Sequence, residues 1–151
     1  MHILSANNYE QYFEQAYTIY GEVKKQNSWS RSTFYTSLNS EFSLIAVDDA
    51  KNVIGYVAVS SVLDTLEIED IAVSNSKRTQ GIASSMLNKL IKLATQANKE
   101  TILLEVAENN LSAIALYEKY QFVLSGRRKN YYKVSNNKFA DALLMDRNIN
   151  G

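Results

Sequence analysis

The stretch from Ile68 to Ala83 reads IEDIAVSNSKRTQGIA, and the architecture of the chain follows from it. An apolar run, Ile68–Val73, precedes a polar turn, Arg78–Ala83, and an amphipathic segment then predicts a helix from Gly81 to Ala97. A glycine-containing turn that opens a helix leaves backbone N–H groups unpaired, and the helix dipole adds partial positive charge there. This arrangement suits a phosphate group, although ordinary turn chemistry is the commoner reason for a single glycine at such a point.

The glycine pattern narrows the kind of phosphate ligand that the turn could hold. The dinucleotide fingerprint needs three glycines, of which this turn contains only Gly81, and a P-loop ends in Gly-Lys-Ser or Gly-Lys-Thr, which is absent here. The turn therefore predicts a phosphate-bearing ligand that is bound by neither of these two motifs.

Composition predicts an ordinary globular protein, with a single domain over residues 1–151. Sixteen basic and sixteen acidic residues cancel, so broad electrostatic attraction to nucleic acid or to a membrane is not expected. Cysteine is absent, which excludes disulfides and a thiol nucleophile, and the spacing of the other ligand types predicts no metal site. With no apolar run of membrane-spanning length and no leader pattern, we expect a cytoplasmic protein.

The spacing of apolar residues predicts a mixed α/β fold. Helices are predicted at residues 6–26, 31–38, 81–97 and 111–120, with Ser30 as the N-cap of the second. Strands are predicted at residues 42–47, 53–60, 66–73, 101–106, 122–132 and 139–146. The run Thr101–Val106 is apolar on almost every residue, so we expect it to lie parallel to a neighbour in the centre of the sheet.

Helices on both faces of a mixed sheet would place ligands at the carboxyl ends of its parallel strands. The Arg78–Ala83 turn lies at one such end and Glu105 lies near another. These two points are therefore the first candidates for a functional site.

An ordered set of residues around these points resembles the GCN5-related N-acetyltransferases (GNAT superfamily). The set comprises Ile71-Ala72-Val73, Arg78-x-x-Gly81-x-Ala83, Leu104-Glu105-Val106, Asn110-x-x-Ala113-x-x-Leu116-Tyr117 and Phe122. The resemblance implies a central, mostly antiparallel sheet with one splayed parallel strand pair, and acetyl-CoA as the co-substrate. The residues that it assigns to acetyl-CoA are Ile71, Ala72, Val73, Arg78, Gln80, Gly81, Ile82, Ala83, Ser84 and Asn110.

Within this set the expected roles differ. The pyrophosphate of CoA would lie on the N–H groups of residues 80–84, and a backbone N–H near Val73 would polarise the thioester carbonyl. Arg78 would add a charge-assisted contact. Asn110 would contact the CoA arm, with a plain N-cap as the alternative.

Within the superfamily, the chain resembles the branch that acetylates the N-terminal alanine of a small-subunit ribosomal protein. That resemblance adds Trp29-Ser30, Glu105, Arg127–Tyr132 and Asp141-Ala142. One departure is Gln121, which stands where the family has a glycine, so we expect a slightly different helix end there. The implied function is acetyl transfer to a ribosomal-protein N-terminus, with no direct binding of nucleic acid or membrane.

Glu105 is the first candidate for the general base, and the resemblance implies Tyr117 as the general acid. An α-amine has a pKa of about 8, so it makes modest demands on a base. A carboxylate within an apolar strand is costly without a partner or a role, and a strand-end glutamate that points to solvent is the alternative. Tyr117 is either a core aromatic or the group that reprotonates the departing CoA thiolate.

Acidic residues in the strand before the turn are candidates for the acceptor side. Glu67 falls where histone-type members of the superfamily keep their base. Strand alternation predicts that Glu67 and Glu69 share one face, and that Ile68 and Asp70 share the other. These acids either are solvated or attract a basic peptide N-terminus.

The resemblance also assigns Trp29, Tyr131 and Tyr132 to the acceptor side, with strand packing as the alternative for the two tyrosines. The basic run Arg127–Lys129 is expected to be a solvated face, with docking near ribosomal components as the alternative. Three other functions stay open: acetylation of a small amine such as a polyamine or aminoglycoside, a CoA-binding regulatory module without catalysis, and transfer of an acyl group longer than acetyl.

Overall fold

A computed structural model describes residues 1–24 and 29–149 of the chain. Its strands are β1 (His2–Ser5), β2 (Leu44–Val47), β3 (Val53–Val62), β4 (Thr65–Val73), β5 (Thr101–Ala107), β6 (Val123–Ser135) and β7 (Lys138–Asn148). They form a seven-stranded sheet in the order β1-β2-β3-β4-β5-β7-β6. All six predicted strands are present. The additional strand, β1, was not predicted because four residues are too few to show a clear alternation of apolar and polar positions.

The helices are α1 (Phe13–Val23), α2 (Arg31–Leu38), α3 (Ile82–Gln96) and α4 (Leu111–Lys119). Buried residues of α1 and α2 pack against one face of the sheet, and those of α3 and α4 pack against the other, as predicted. The Ser30 side chain accepts from the Thr33 N–H at 3.1 Å, which confirms the predicted N-cap. Within residues 1–24 and 29–149, no helix has the length and apolarity that crossing a membrane requires.

The first helix begins later than its predicted start at residue 6. Residues Ala6–Asn8 and Glu10–Tyr12 form short 3-10 turns instead, separated by Tyr9 in a non-helical conformation. Apolar spacing alone does not distinguish such turns from the first turns of a helix, which explains the error. The last two residues of the predicted helix lie outside the described residues.

The parallel pairing of β4 and β5 ends partway along both strands. The ladder continues only to Ile68 and Leu104. Beyond that point β4 stays paired with β3 as far as Val73, and β5 stays paired with β7 as far as Ala107. Each strand therefore follows its antiparallel neighbour, and the two facing edges separate into an opening. This is the predicted splayed pair.

A β-bulge in β4 changes the face on which its acidic residues lie. Adjacent residues of β3 pair with Ile68 and Asp70, so Glu69 is the extra residue. An extra residue reverses the alternation of the side chains that follow it. Ile68 packs in the core beneath α3, whereas Asp70 reaches Tyr56 on the other face. The prediction that Asp70 shares the face of Ile68 is therefore wrong, because simple alternation ignores the bulge.

The end of α4 has the left-handed geometry that a glycine usually provides. Gln121 has a φ of 69°. Its N–H donates to the carbonyl of Glu118, and the N–H of Phe122 donates to the carbonyl of Tyr117, each at 3.0 Å. These two bonds define a Schellman motif, so the expectation of a different helix end is wrong. The motif turns Phe122 back against the Tyr117 ring, with 5.8 Å between the ring centroids.

Candidate active site

A groove of about 500 Å³ lies beside the carboxyl end of β4 and the start of α3. Nearly all residues that the sequence predicts for acetyl-CoA line this groove: Ile71, Ala72, Val73, Arg78, Gly81, Ile82, Ala83, Ser84 and Asn110. Gln80 is the exception, since it is exposed and lies outside the lining. Lys77, Thr79 and Ser112 line the groove as well, although no motif singles them out.

The first turn of α3 presents free backbone N–H groups to this groove. Gly81 is the N-cap, with a φ of 76°, and no side chain caps the helix. The first helical hydrogen bond runs from the Ser85 N–H to the Gly81 carbonyl, so the N–H groups of residues 82–84 precede the helical ladder. A Cβ at Gly81 would meet no atom within 4 Å, so the left-handed φ is what favours glycine here. This turn has the donor arrangement of an anion-binding site.

Asn110 connects the groove to the start of α4. Its Oδ1 accepts from the Ala113 N–H at 3.3 Å and from the Ser112 hydroxyl at 3.4 Å. Asn110 is thus an N-cap, which is one of the two interpretations of the sequence. Asn110 lines the groove while it caps the helix. Contact between Asn110 and the CoA arm therefore stays a prediction.

A second cavity, of about 320 Å³, opens at the β4–β5 splay. The predicted catalytic and acceptor residues that line it are Trp29, Glu69, Glu105, Tyr117 and Tyr132. An adjoining cavity of about 360 Å³ adds the remaining predicted pair, Glu67 and Tyr131. The structure therefore brings all predicted catalytic and acceptor residues together in two neighbouring cavities. We call this pair of cavities the acceptor site.

Two carboxylates on adjacent strands compete for the role of base. Glu105 lies 3.1 Å from Arg128 Nε, and its side chain is 22% exposed, so it does not simply point to solvent. Glu67 lies on the neighbouring strand. Its pKa is raised, first by burial and then by the negative charges of Glu69 and Glu105, while Arg128 acts in the opposite direction. The charge of Glu105 therefore lies close enough to Glu67 to contribute to this shift.

The basic run on β6 lies at the surface, as expected, but its two arginines are ion-paired. Arg127 Nη1 lies 2.8 Å from a carboxylate oxygen of Glu108 and 2.8 Å from one of Asp141. The pKa of Asp141 is lowered, chiefly by the hydrogen bond from the Asn130 N–H and then by Arg127. Arg128 pairs with the candidate base, as described above. The charges of Arg127 and Arg128 are therefore balanced by carboxylates as well as by solvent.

Tyr117 is both a core residue and a lining residue. Its side chain is buried against Phe122, and it lines the groove as well as the acceptor site. Burial raises the pKa of its hydroxyl, and the negative charge of Asp70 adds to the effect. The hydroxyl therefore stays protonated at neutral pH, which is the state that a general acid requires.

Trp29 forms a wall of the acceptor site and is held by α1. Its backbone N–H donates to the Tyr20 hydroxyl at 2.6 Å, and its carbonyl accepts from the Tyr17 hydroxyl at 3.1 Å. The indole also stacks on the Tyr20 ring at 5.9 Å. Two hydrogen bonds and a ring contact fix the position of this wall.

The sequence analysis grouped Asp70 with the acids that either are solvated or attract the acceptor, but placed it on the face of Ile68, and it did not identify Lys24. Both residues line the acceptor site. Asp70 Oδ2 accepts from the Tyr56 hydroxyl at 2.6 Å, and its Oδ1 lies 2.8 Å from Lys24 Nζ. The Asp70 side chain is only 9% exposed. A carboxylate directly before the apolar Ile71–Val73 segment was a usable signal, but the bulge at Glu69 concealed the face on which it lies.

The groove and the acceptor site meet at the β4–β5 opening. Ile71, Asn110 and Tyr117 line both of them. A ligand that lies along the groove and a second ligand in the acceptor site would therefore come into contact at this opening. The arrangement is suited to transferring a group from one bound molecule to the other.

The acetyltransferase (GNAT) family model matches residues 6–122, and the chain belongs to this family. The [ribosomal protein bS18]-alanine N-acetyltransferase of Escherichia coli (strain K12) is 29% identical to it over 117 residues, which cover 78% of each chain. The predicted family and enzyme class, an acetyl-CoA-dependent N-acetyltransferase, are confirmed.

Solved structures agree with the fold. The crystal structure of the ribosomal-protein-S18-alanine N-acetyltransferase from Escherichia coli superposes with a TM-score of 0.86 at 28% identity, over 98% of this chain and 93% of that one. A Bacillus anthracis acetyltransferase, solved in complex with acetyl coenzyme A, gives a TM-score of 0.62 at 27% identity, over 70% and 61% of the two chains. The predicted fold class is confirmed.

Proposed function

We propose that this protein transfers the acetyl group of acetyl-CoA to the α-amine of an N-terminal alanine on a ribosomal protein. The Escherichia coli relatives that act on ribosomal protein S18 support this acceptor, since they match most of the chain in sequence and in fold. Ribosomal proteins are made in the cytoplasm, so the reaction belongs to that compartment. The acceptor is the peptide rather than RNA, in keeping with the zero net charge of the chain.

The observation that carries the proposal is the junction of groove and acceptor site at the β4–β5 opening. Acetyl-CoA is an elongated molecule with a pyrophosphate at one end of its arm and a thioester at the other. With the pyrophosphate on the N–H groups of residues 82–84 and Arg78 beside it, the arm would follow β4 towards Ile71. The thioester would then reach the point that Ile71, Asn110 and Tyr117 share with the acceptor site.

The chemistry requires two bond changes and two proton transfers. The neutral amine forms a bond from its nitrogen to the thioester carbonyl carbon, the C–S bond breaks, and CoA leaves as a thiolate. Glu105 takes the proton of the amine, directly or through a water molecule, with Glu67 as the competing base. Tyr117 gives its proton to the thiolate and takes one back from solvent, to which the protonated Glu105 returns its own. The thiol of CoA has a pKa of about 8.5, so this donation assists the reaction without being essential.

Charge supports a basic peptide as the acceptor. Glu67, Glu69 and Glu105 surround the entrance, and ribosomal-protein N-termini are typically rich in lysine and arginine. Local acidity would attract such a chain although the protein as a whole is neutral. Glu69 is oriented by the Ser37 hydroxyl, which donates to it at 2.7 Å.

Release of free CoA thiol from acetyl-CoA tests the proposal with three acceptors in parallel. The acceptors are an alanine-start basic peptide, the same peptide with a blocked N-terminus and internal lysines, and spermidine. Selective release with the first peptide is the expected result. Thiol release with spermidine alone would establish small-amine acetylation instead. No thiol release with any of the three acceptors, despite tight CoA binding, would indicate a regulatory module.

A further inference from the structure

We propose that Asp70 binds the α-ammonium group of the incoming acceptor before this group loses a proton to solvent and attacks as the neutral amine, and that Lys24 occupies this place while the acceptor is absent. The inference rests on the proposed function, because it concerns the same acceptor site. It adds a specificity-determining residue on β4 that lines the same cavity as the candidate base on β5. It also assigns a function to an ion pair that the reaction does not otherwise use.

The ion pair itself identifies where an ammonium group is bound. Lys24 Nζ lies 2.8 Å from Asp70 Oδ1, inside a cavity that Glu105 and Tyr117 also line. The other oxygen of Asp70 is taken by the Tyr56 hydroxyl, which leaves Oδ1 as the oxygen that faces a cation. A lysine side chain and a peptide N-terminus both end in a primary ammonium, so the same oxygen suits either of them.

The two members of the pair differ in how firmly they are held. Asp70 is nearly buried on a central strand, whereas the Lys24 side chain is 34% exposed and lies just after the end of α1. A lysine ammonium on a flexible four-carbon stem is strongly hydrated and regains water when it leaves. Asp70 is thus the fixed partner, and Lys24 is the one that can exchange.

Charge balance favours exchange over binding beside the lysine. Among the described residues, the cavity lining contains one cation, Lys24, and three carboxylates, Glu69, Asp70 and Glu105. Glu105 is paired with Arg128, and Glu69 accepts from Ser37. Replacing Lys24 by the substrate ammonium keeps the charge of the cavity constant, whereas adding the ammonium next to Lys24 would bring two positive charges together. A chain whose N-terminus is blocked has no α-ammonium group with which to displace the lysine.

Steady-state kinetics with the alanine-start peptide provide the first test. Lys24→Met removes the internal competitor, so KM for the peptide is expected to fall, with a smaller change in kcat. Asp70→Asn is expected to raise KM by about tenfold, the scale of one charge-assisted hydrogen bond, and to abolish the effect of Lys24→Met in the double variant. Lys89→Met, an exposed lysine on α3, is the matched control and should leave KM unchanged.

An increase in KM, or no change, in Lys24→Met would overturn the proposal, because a purely structural ion pair gives that result. The acetyl-transfer reaction of the unmodified enzyme separates the two hypotheses. If that enzyme does not acetylate the peptide, the proposed function is wrong; if it does and Lys24→Met fails to lower KM, only the role of the ion pair is wrong.

Chemical labelling provides a second test that requires neither turnover nor a folded Asp70 variant. The rate of reductive methylation of Lys24 is measured by mass spectrometry on the full chain with CoA, with and without saturating alanine-start peptide. Displacement predicts faster methylation of Lys24 when the peptide is bound, and no acceleration with the N-acetylated peptide. Slower methylation of Lys24 with the free-amine peptide would contradict the exchange.

Discussion

Ile68 and Leu104 are the last two residues that join β4 to β5. The next residue on each strand is a glutamate: Glu69 is the bulged residue of β4, and Glu105 continues the pairing of β5 with β7. The opening therefore begins at two carboxylates. Because both strands remain paired on their outer sides, the sheet stays intact while its central edges become free to contact substrates.

Replacing Glu105 by glutamine identifies the base. We expect Glu105→Gln to lower kcat by about two to four orders of magnitude, the usual contribution of general base catalysis, with little change in melting temperature. The loss of the ion pair with the half-exposed Arg128 should cost little stability. Glu108→Gln is the control, since Glu108 pairs with Arg127 at the surface.

Glu67→Gln measured in parallel separates the two candidate carboxylates. If Glu105→Gln keeps near-normal turnover while Glu67→Gln loses it, the base lies on β4. Thiol release at saturating acetyl-CoA and peptide is the measurement in both cases.

Removing the hydroxyl of Tyr117 should slow the reaction without stopping it. We expect Tyr117→Phe to lower kcat by about tenfold, because a thiolate is already a good leaving group. The pKa of Tyr117 is raised by burial and by Asp70, so its hydroxyl stays protonated as the pH rises through 7 to 9. Ionisation of Tyr117 therefore causes no fall in rate on the basic side of the pH–rate profile. Tyr117→Phe should keep the shape of that profile.

Tyr35→Phe is the control for Tyr117→Phe, because it also removes a phenol hydroxyl. That hydroxyl donates a hydrogen bond to Glu14, which keeps its second partner, Arg31 on α2. Its kcat should equal that of the unmodified protein. A loss of kcat greater than a thousandfold in Tyr117→Phe, with unchanged melting, would mean that proton donation is essential.

Gly81→Ala tests the start of α3 as the donor-binding turn. Alanine at a φ of 76° costs about 1 kcal/mol, although its Cβ would meet no neighbouring atom. We expect lower stability in urea because of this backbone strain. We also expect a severalfold higher KM for acetyl-CoA, because a shift of the backbone that relieves the strain would move the N–H groups of residues 82–84. The KM of the peptide should not change.

Gly21→Ala is the matched control for this substitution. Gly21 lies within α1, and among residues 1–24 and 29–149 a Cβ there also meets no atom within 4 Å. Alanine in a helix interior should raise stability by about 0.5–1 kcal/mol. Glycine-to-alanine substitution is therefore expected to stabilise the protein at position 21 and to destabilise it at position 81. An unchanged KM for acetyl-CoA in Gly81→Ala would show that the phosphate groups bind elsewhere.

Periodicity was sufficient to predict the segments that form the donor groove. The apolar stripe of α3 buries Met86, Leu87, Leu90 and Ala94, β5 is fully buried at every second residue, and Gly81 marks the turn between sheet and helix. These features are local, so the sequence carries them directly.

The ion pair of Asp70 with Lys24 could not be predicted in this way. It depends on the bulge at Glu69, which is set by the pairing of β4 with β3, and on where α1 ends. Both are consequences of tertiary packing between segments distant in the sequence. Similarly, the pairing of Glu105 with Arg128 requires β6, β7 and β5 to lie side by side.

Gln121→Gly should stabilise the protein. Gln121 is held at a φ of 69° by the Schellman bonds of α4, a conformation that costs a residue with a Cβ about 1 kcal/mol and glycine almost nothing. The gain is partly offset by the greater entropy of the unfolded glycine chain, so we expect about 0.5 kcal/mol more stability in urea unfolding.

Asn137→Gly is the comparison for this gain, because Asn137 has a φ of 63° in the β6–β7 turn and asparagine tolerates this region. Its gain should be smaller than that of Gln121→Gly. The kcat of Gln121→Gly should match that of the unmodified protein, because the helix end, and with it the contact of Phe122 with Tyr117, already has the geometry that glycine favours. A loss of stability in Gln121→Gly would mean that the glutamine side chain makes contacts worth more than the strain of its backbone.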